Sequence, residues 1–367
     1  MATTAEAINL KEIEEKVMSG GRLSREDGIA LYGVNDILFL GALARFVKEK
    51  KTGNYAYFNV NRHINLTNVC VNRCKFCAFS ADLGDSHAYT MTREEILARA
   101  LEAPKIGATE LHIVSGLHPE KPFDYYLEAI RICKEALPDI HIQAFTAVEI
   151  DYFAKLTGMD ARGVLQTLKE AGLGSMPGGG AEIFSGRVRG LTCENKASGK
   201  RWLEIMRTAH ELGLRSNATM LYGHVETVEE RIDHLIKLRE LQDETGGFQS
   251  FIPLAFHPDN TELTGIKRTT AYDDIKTIAI SRLMLDNFDH VKAFWIMLGL
   301  KISQLSLDFG ADDLDGTVVE EKITHMAGAQ TDESIEKEEL INLIKDAGRT
   351  PVERDTLYNI IRIYGEE

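Results

Sequence analysis

The chain of 367 residues is poor in proline and tryptophan, with 8 and 2, and it contains no low-complexity stretch or fixed-period repeat. With 44% hydrophobic residues it has ample apolar material for a large core, so disordered and fibrous folds are excluded. Positive charge is scarce: 42 Lys and Arg face 56 Asp and Glu, a net of -14. That is the wrong field for wrapping nucleic acid or lying on an anionic membrane. No run approaches the roughly 18 apolar residues of a membrane span, and the acidic start MATTAEAINLKEIEEKV lacks the basic and apolar regions of a signal peptide. These absences predict a soluble cytoplasmic protein whose partners are small molecules or proteins. Cysteine is scarce too: five cannot make a disulfide framework in so long a chain, and Cys70, Cys74 and Cys77 are crowded together, leaving Cys133 and Cys193 apart. A reducing compartment and a metal centre follow.

Before residue 60 the pattern is helical: LKEIEEKVM, a capping signal at Ser24-Arg25-Glu26-Asp27, and an apolar helix after a cap at Asn35. From about residue 62 short apolar strands alternate with amphipathic helices. The candidate strands are 63–68, 110–115, 141–146, 173–176, 215–221, 248–256, 290–295 and a weak one near 305–309. Thr92 to Glu95 and Thr227 to Glu230 match the capping box, and Gly246-Gly247 stops a helix. Eight strands in one run of βα units predict an α/β protein with a (β/α)8 TIM-type barrel over 61–330. An N-terminal helical extension (1–60) and a C-terminal helical tail (331–367) flank it; a doubly wound sheet is the alternative. Pro253 removes a ladder donor and should sit near a strand end or bulge, at the barrel mouth.

The three thiols follow the first barrel strand, on a loop at the face where barrel enzymes keep their sites. Structural zinc needs a fourth ligand, and His87 is the only near candidate. An iron–sulfur cubane with one open iron fits better, with a zinc knuckle as the alternative. The spacing Cys-x3-Cys-x2-Cys, with Phe76 just before the third cysteine, resembles the radical S-adenosylmethionine (SAM) enzymes.

That resemblance implies a [4Fe-4S] cluster held by Cys70, Cys74 and Cys77, with SAM chelating the open iron. One-electron reduction of SAM then releases methionine and a 5'-deoxyadenosyl radical, which calls for a low-potential donor such as flavodoxin or ferredoxin. It further implies SAM contacts at Phe76, at Ser115 and Gly116, and at Glu182. Ser115-Gly116 stands where members carry a Gly-Gly-Glu-like turn, although here a serine replaces the first glycine and no acid follows. Glu182, after Gly178-Gly179-Gly180, stands where members place a polar residue on the SAM ribose. An ordinary βα turn and a solvated glutamate are the alternatives.

Over almost the whole chain, SNATMLYGHVE, IPLAFHP, FGADDLDGT and PVERDTLYN resemble the menaquinone-pathway and deazaflavin-pathway branch of these enzymes. Through IPLAFHP and GGGAEIF the chain is most similar to the members that form aminofutalosine. The implied reaction adds the adenosyl radical to the vinyl carbon of 3-[(1-carboxyvinyl)oxy]benzoate. Aryl migration and loss of a carboxylate then give 6-amino-6-deoxyfutalosine for menaquinone biosynthesis, with SAM consumed. A hydrogen-abstracting futalosine cyclase or FO-synthase relative is the alternative, and a metal-stabilised binding protein a third reading. The two substrate carboxylates need local positive groups or donors, for which His224, His257 and Arg354 are candidates. Glu149 and Glu226 are candidates for proton management, or else helix N-terminal charges. Asp312, Asp313 and Asp315 lack the calcium-loop frame and read as a last βα loop and helix cap.

Overall fold

A computed structural model describes residues 10–319 and 322–365. Seven parallel strands run in chain order through one sheet: β2 (Asn61–Asn65), β3 (Glu110–Val114), β4 (His141–Ala144), β5 (Ser175–Met176), β6 (Arg215–Tyr222), β7 (Phe248–Ala255) and β8 (His290–Val291). A second sheet, in the order β11-β10-β1-β9, joins β1 (Tyr55–Asn59), β9 (Asp313–Gly316), β10 (Thr350–Arg354) and β11 (Ile360–Ile363). Among the described residues no helix is long and apolar enough to cross a membrane.

The expected eighth strand near 305–309 is not there. Leu300–Ser306 is helical, and the barrel gap is bridged instead by residues 312–319. On one side Asp312 N donates to Val291 O at 3.0 Å and Ala293 N to Asp313 O at 2.8 Å; on the other His63 N donates to Val319 O at 3.1 Å. The acidic text GADDLDG hid this stave, because its carboxylates are used inside the protein. Asp312 is fully buried against Arg282 at 2.7 Å and His290 at 2.7 Å, so these acids form a strand and not the expected loop and cap.

The capping boxes at Ser24, Thr92 and Thr227 are present, whereas the cap expected at Asn35 is Asp36, whose Oδ1 accepts from Leu38 N and Phe39 N. The N-terminal helices lie against the barrel helices: Arg239 donates to Leu23 O at 2.9 Å and Lys276 to Tyr32 O at 3.1 Å. The tail is not helical throughout, since the helix Lys337–Asp346 is followed by β10 and β11, which extend the sheet begun by β1. Pro253 lies inside β7, opposite Met220 of β6. Phe251 O still accepts from Lys292 N at 2.9 Å on the β8 side, and Pro253, facing the same side two residues on, has no N–H with which to extend that ladder.

Candidate functional site

The loop after β2 satisfies its backbone with main-chain partners. Cys70 N donates to Ala81 O at 3.2 Å, Val71 N to Leu117 O at 3.0 Å, Lys75 N to Thr192 O at 2.9 Å and Cys77 N to Cys74 O at 2.9 Å. Arg73, at φ +44, occupies the left-handed region between the first two thiols, a conformation that costs energy and redirects the chain. Gly116 makes the close approach possible: a Cβ there would stand 2.4 Å from Val69 O. All three cysteines consequently line one cavity of about 350 Å³ at the C-terminal ends of the strands, and all three are free thiols.

Among the described residues no three Cys, His, Asp or Glu side chains converge to hold a single ion. A structural zinc site would need a fourth ligand, and His87, the near candidate, is exposed and does not line the cavity. Burial pushes the Cys74 thiol up to about 12, so a thiolate there depends on nearby positive charge. Lys196 is one such charge, and bound iron would be another.

Lys196 gives no signal in the sequence, where it is one lysine in a polar stretch. Its Nζ lies 2.6 Å from Glu182 Oε1 and 4.9 Å from the centre of the Phe76 ring. Burial opposes its charge, but Cys74, Glu182 and Cys193 outweigh burial and hold its pKa above the usual lysine range. Glu182 itself is buried, at φ +47, and faces the cavity. The glycines before it let the chain press on β6: a Cβ on Gly178 would meet the Asn217 and Ala218 backbone at 2.8 Å. Glu182 is therefore not a solvated surface carboxylate.

Ser115 and Gly116 line the same cavity, and Ser115 N donates to Glu149 Oε1 at 2.7 Å. The other Glu149 oxygen accepts from Thr146 N at 2.6 Å in a capping box, so this residue is both helix cap and clamp on the Ser115 turn. Burial pushes its carboxyl up to about 7. His257 lines the cavity and pairs through Nε2 with Met297 O at 2.9 Å.

Three sequence candidates are not brought to this cavity. His224 is fixed in the turn after β6 by Nε2 to Leu221 O at 2.9 Å and by Val225 N, which donates to Nδ1 at 2.8 Å. Glu226 accepts from Gly223 N at 2.6 Å, His224 N at 2.9 Å and Arg231 Nε at 2.8 Å. Arg354 is buried on β10 against Asp313 at 2.7 Å. All three are occupied by scaffold contacts. Conversely, the deeper cavity wall holds polar residues that sequence reading passed over, including His63, His112, Gln143, Asn217 and Lys292. Reading the strands as short apolar runs gave no reason to expect polar groups where barrels usually pack aliphatic ones.

Comparison with known proteins places these features in a family. The radical SAM superfamily model matches residues 64–238, and that of the CofH/MqnC C-terminal region matches 245–366. The aminodeoxyfutalosine synthase of Thermus thermophilus is 50% identical, over 96% of both chains. The 5-amino-6-(D-ribitylamino)uracil--L-tyrosine 4-hydroxyphenyl transferase of Methanopyrus kandleri is 41% identical, over 99% of this chain and all of that one. Among solved structures, methylornithine synthase aligns with a TM-score of 0.74 at 19% identity, covering 92% of this chain and 97% of that one, which supports the TIM-barrel-like fold.

Proposed function

Since this chain belongs to the radical SAM superfamily, we propose that it forms 6-amino-6-deoxyfutalosine from SAM and 3-[(1-carboxyvinyl)oxy]benzoate, a step of menaquinone biosynthesis. It is a radical SAM enzyme, and enzymes of this family use a [4Fe-4S] cluster and SAM. When bound, these would supply a 5'-deoxyadenosyl radical; in the proposed reaction it joins the vinyl carbon, the aryl group migrates from oxygen to carbon, and the carboxylate leaves as carbon dioxide with return of one electron, so that the product is closed-shell.

The residues divide the work by position. Cys70, Cys74 and Cys77 hold the cluster, while Phe76 and the Ser115-Gly116 backbone border the SAM methionine end. Glu149 fixes that turn by accepting from Ser115 N. Glu182 takes a ribose hydroxyl, and Lys196 sets the carboxylate's direction from 2.6 Å. Leu221, Ile252, Leu254 and Phe256 wall the cavity with apolar surface that excludes water from the radical. His257 borders the substrate, and His224 and Glu226 act as positioning residues for the turn after β6. A low-potential carrier such as flavodoxin or ferredoxin would deliver the electron.

The observation that carries this reading is that the three thiols and Glu182 open into one cavity, in a chain whose half-identical relative bears the synthase name. SAM labelled in its adenine tests it. Label should appear in a conjugate with the benzoate ring, with one carbon dioxide and little free 5'-deoxyadenosine. Stoichiometric 5'-deoxyadenosine with the enol ether untouched would instead favour a hydrogen-abstracting relative.

A further inference from the structure

The cavity extends from the cysteine loop down between β2 and β3, and its deeper wall is not built like a filled barrel core. His63 and His112, side by side on β2 and β3, stack at 4.5 Å with planes 14° apart. His112 Nδ1 meets Gln143 Oε1 at 3.1 Å, which Asn217 also approaches at 3.4 Å. The His63 ring makes no hydrogen bond to another described side chain or backbone group, and it borders the cavity.

Lys292, the residue after β8, lines the same cavity and its charge acts on the His63 ring. Its side chain is only 6% exposed, and among the described residues its Nζ has one hydrogen-bond partner, Asp315 Oδ1 at 3.1 Å, while its charge also acts on the buried Glu110 carboxylate. An ammonium carries three donors, so two remain for a group that enters the cavity. Asp315 is itself held at φ +68, with its N–H on Asp313 Oδ1 at 2.6 Å. A strained residue that pins a buried lysine against a cavity is a device for presenting charge. Glu110, the other acid at this level, is engaged by Asn59 at 3.3 Å and lies 3.6 Å from His112 Nδ1.

We propose that Lys292 and His63 form the subsite for an aryl carboxylate, with Lys292 as its counter-ion and the imidazole as a second donor. The proposal rests on the reaction inferred above: the vinyl carbon must lie toward the SAM end, which leaves the ring carboxylate to point toward this deeper wall. The amide's carbonyl could accept from the lysine but would not neutralise it, so the subsite selects a carboxylate over its amide by charge.

The test uses SAM-loaded holoenzyme with 3-hydroxybenzoate and 3-hydroxybenzamide as competitors of the enol ether. In the unaltered protein the benzoate should compete at least about ten-fold more tightly than the benzamide, the scale of one charge-assisted bond. Lys292→Met should remove that preference and raise KM for the enol ether by a similar factor, with SAM affinity unchanged; Lys292→Arg should keep the preference. Equal competition by acid and amide in the unaltered protein, a measurement that needs no variant, overturns the subsite, as does a Lys292→Met enzyme with unchanged KM. Normal turnover of the enol ether alongside either result leaves the reaction standing. Lysine-dependent benzoate binding without any conjugate product supports the subsite and removes the reaction.

Discussion

The loop after β2 and the turn after β6 occupy equivalent places at the ends of barrel strands, and both contain groups whose chemistry suggests a site. They differ in where their hydrogen bonds go. Around His224 and Glu226 the side chains satisfy the backbone, with Gly223 N and His224 N donating to the carboxylate and His224 Nε2 meeting Leu221 O. Around Cys70 to Cys77 four backbone N–H groups donate to backbone carbonyls, of Ala81, Leu117, Thr192 and Cys74, and the three thiols are left to face the cavity. The thiols are free for the cavity because their loop's N–H groups find backbone acceptors, whereas the turn after β6 spends its imidazole and carboxylate on its own main chain.

The largest effect expected from this contrast is on folding at the β6 turn. Glu226→Gln weakens an acceptor shared by two backbone N–H groups and Arg231, in a side chain only 1% exposed, and should cost about 3–5 kcal/mol in denaturant unfolding. His224 and Arg231 hold the Glu226 carboxyl below its usual range despite burial. Its stabilisation is therefore present above the unfolded carboxylate pKa of about 4.3 and lost as pH falls below it, so the gap between variant and parent should close in acid. Iron content and SAM affinity should not change; a well-folded Glu226→Gln protein that fails to bind SAM would erase the distinction between the two regions.

Next in size is SAM affinity at the cavity. Glu182→Ala should weaken it by about 1.5–3 kcal/mol, or roughly ten-fold to over a hundred-fold, with the cluster intact. Lys196→Met should reproduce part of that loss, because it frees the carboxylate from the 2.6 Å contact that directs it. Calorimetric titration with SAM under anaerobic conditions reads both, and an unchanged Kd in Glu182→Ala would make the Lys196 pair merely structural. The smallest effect belongs to the cap that follows the turn: Thr227 accepts from Glu230 N, and Thr227→Ala should lower stability by about 1 kcal/mol without touching SAM binding. A loss well beyond that would show the turn and its helix to be more tightly coupled than the hydrogen bonds describe.

The pattern of apolar runs located β3 to β7 within two residues of their observed ends, because parallel strands in a barrel read as apolar runs bounded by turn residues. It missed the stave at 312–319, where buried carboxylates paired with Arg282, His290 and Arg354 look like surface charge. It also missed β1, β10 and β11: these pair across almost 300 residues, Tyr55 with Thr350, and β11 is too exposed to show an alternating pattern. The cysteine loop was legible because three thiols in one short segment are rare. Lys196 and Lys292 were not, since an isolated lysine carries no spacing information and only the fold shows that it is buried beside a cavity.

Iron content per chain in anaerobically prepared protein tests the central claim most directly. About four irons are expected in the parent chain, near none when Cys70, Cys74 or Cys77 becomes alanine, and the parent value for Cys133→Ala and for Cys193→Ala, whose thiol is buried beside the same loop. Iron that persists without Cys70 and disappears without Cys193 would contradict the account.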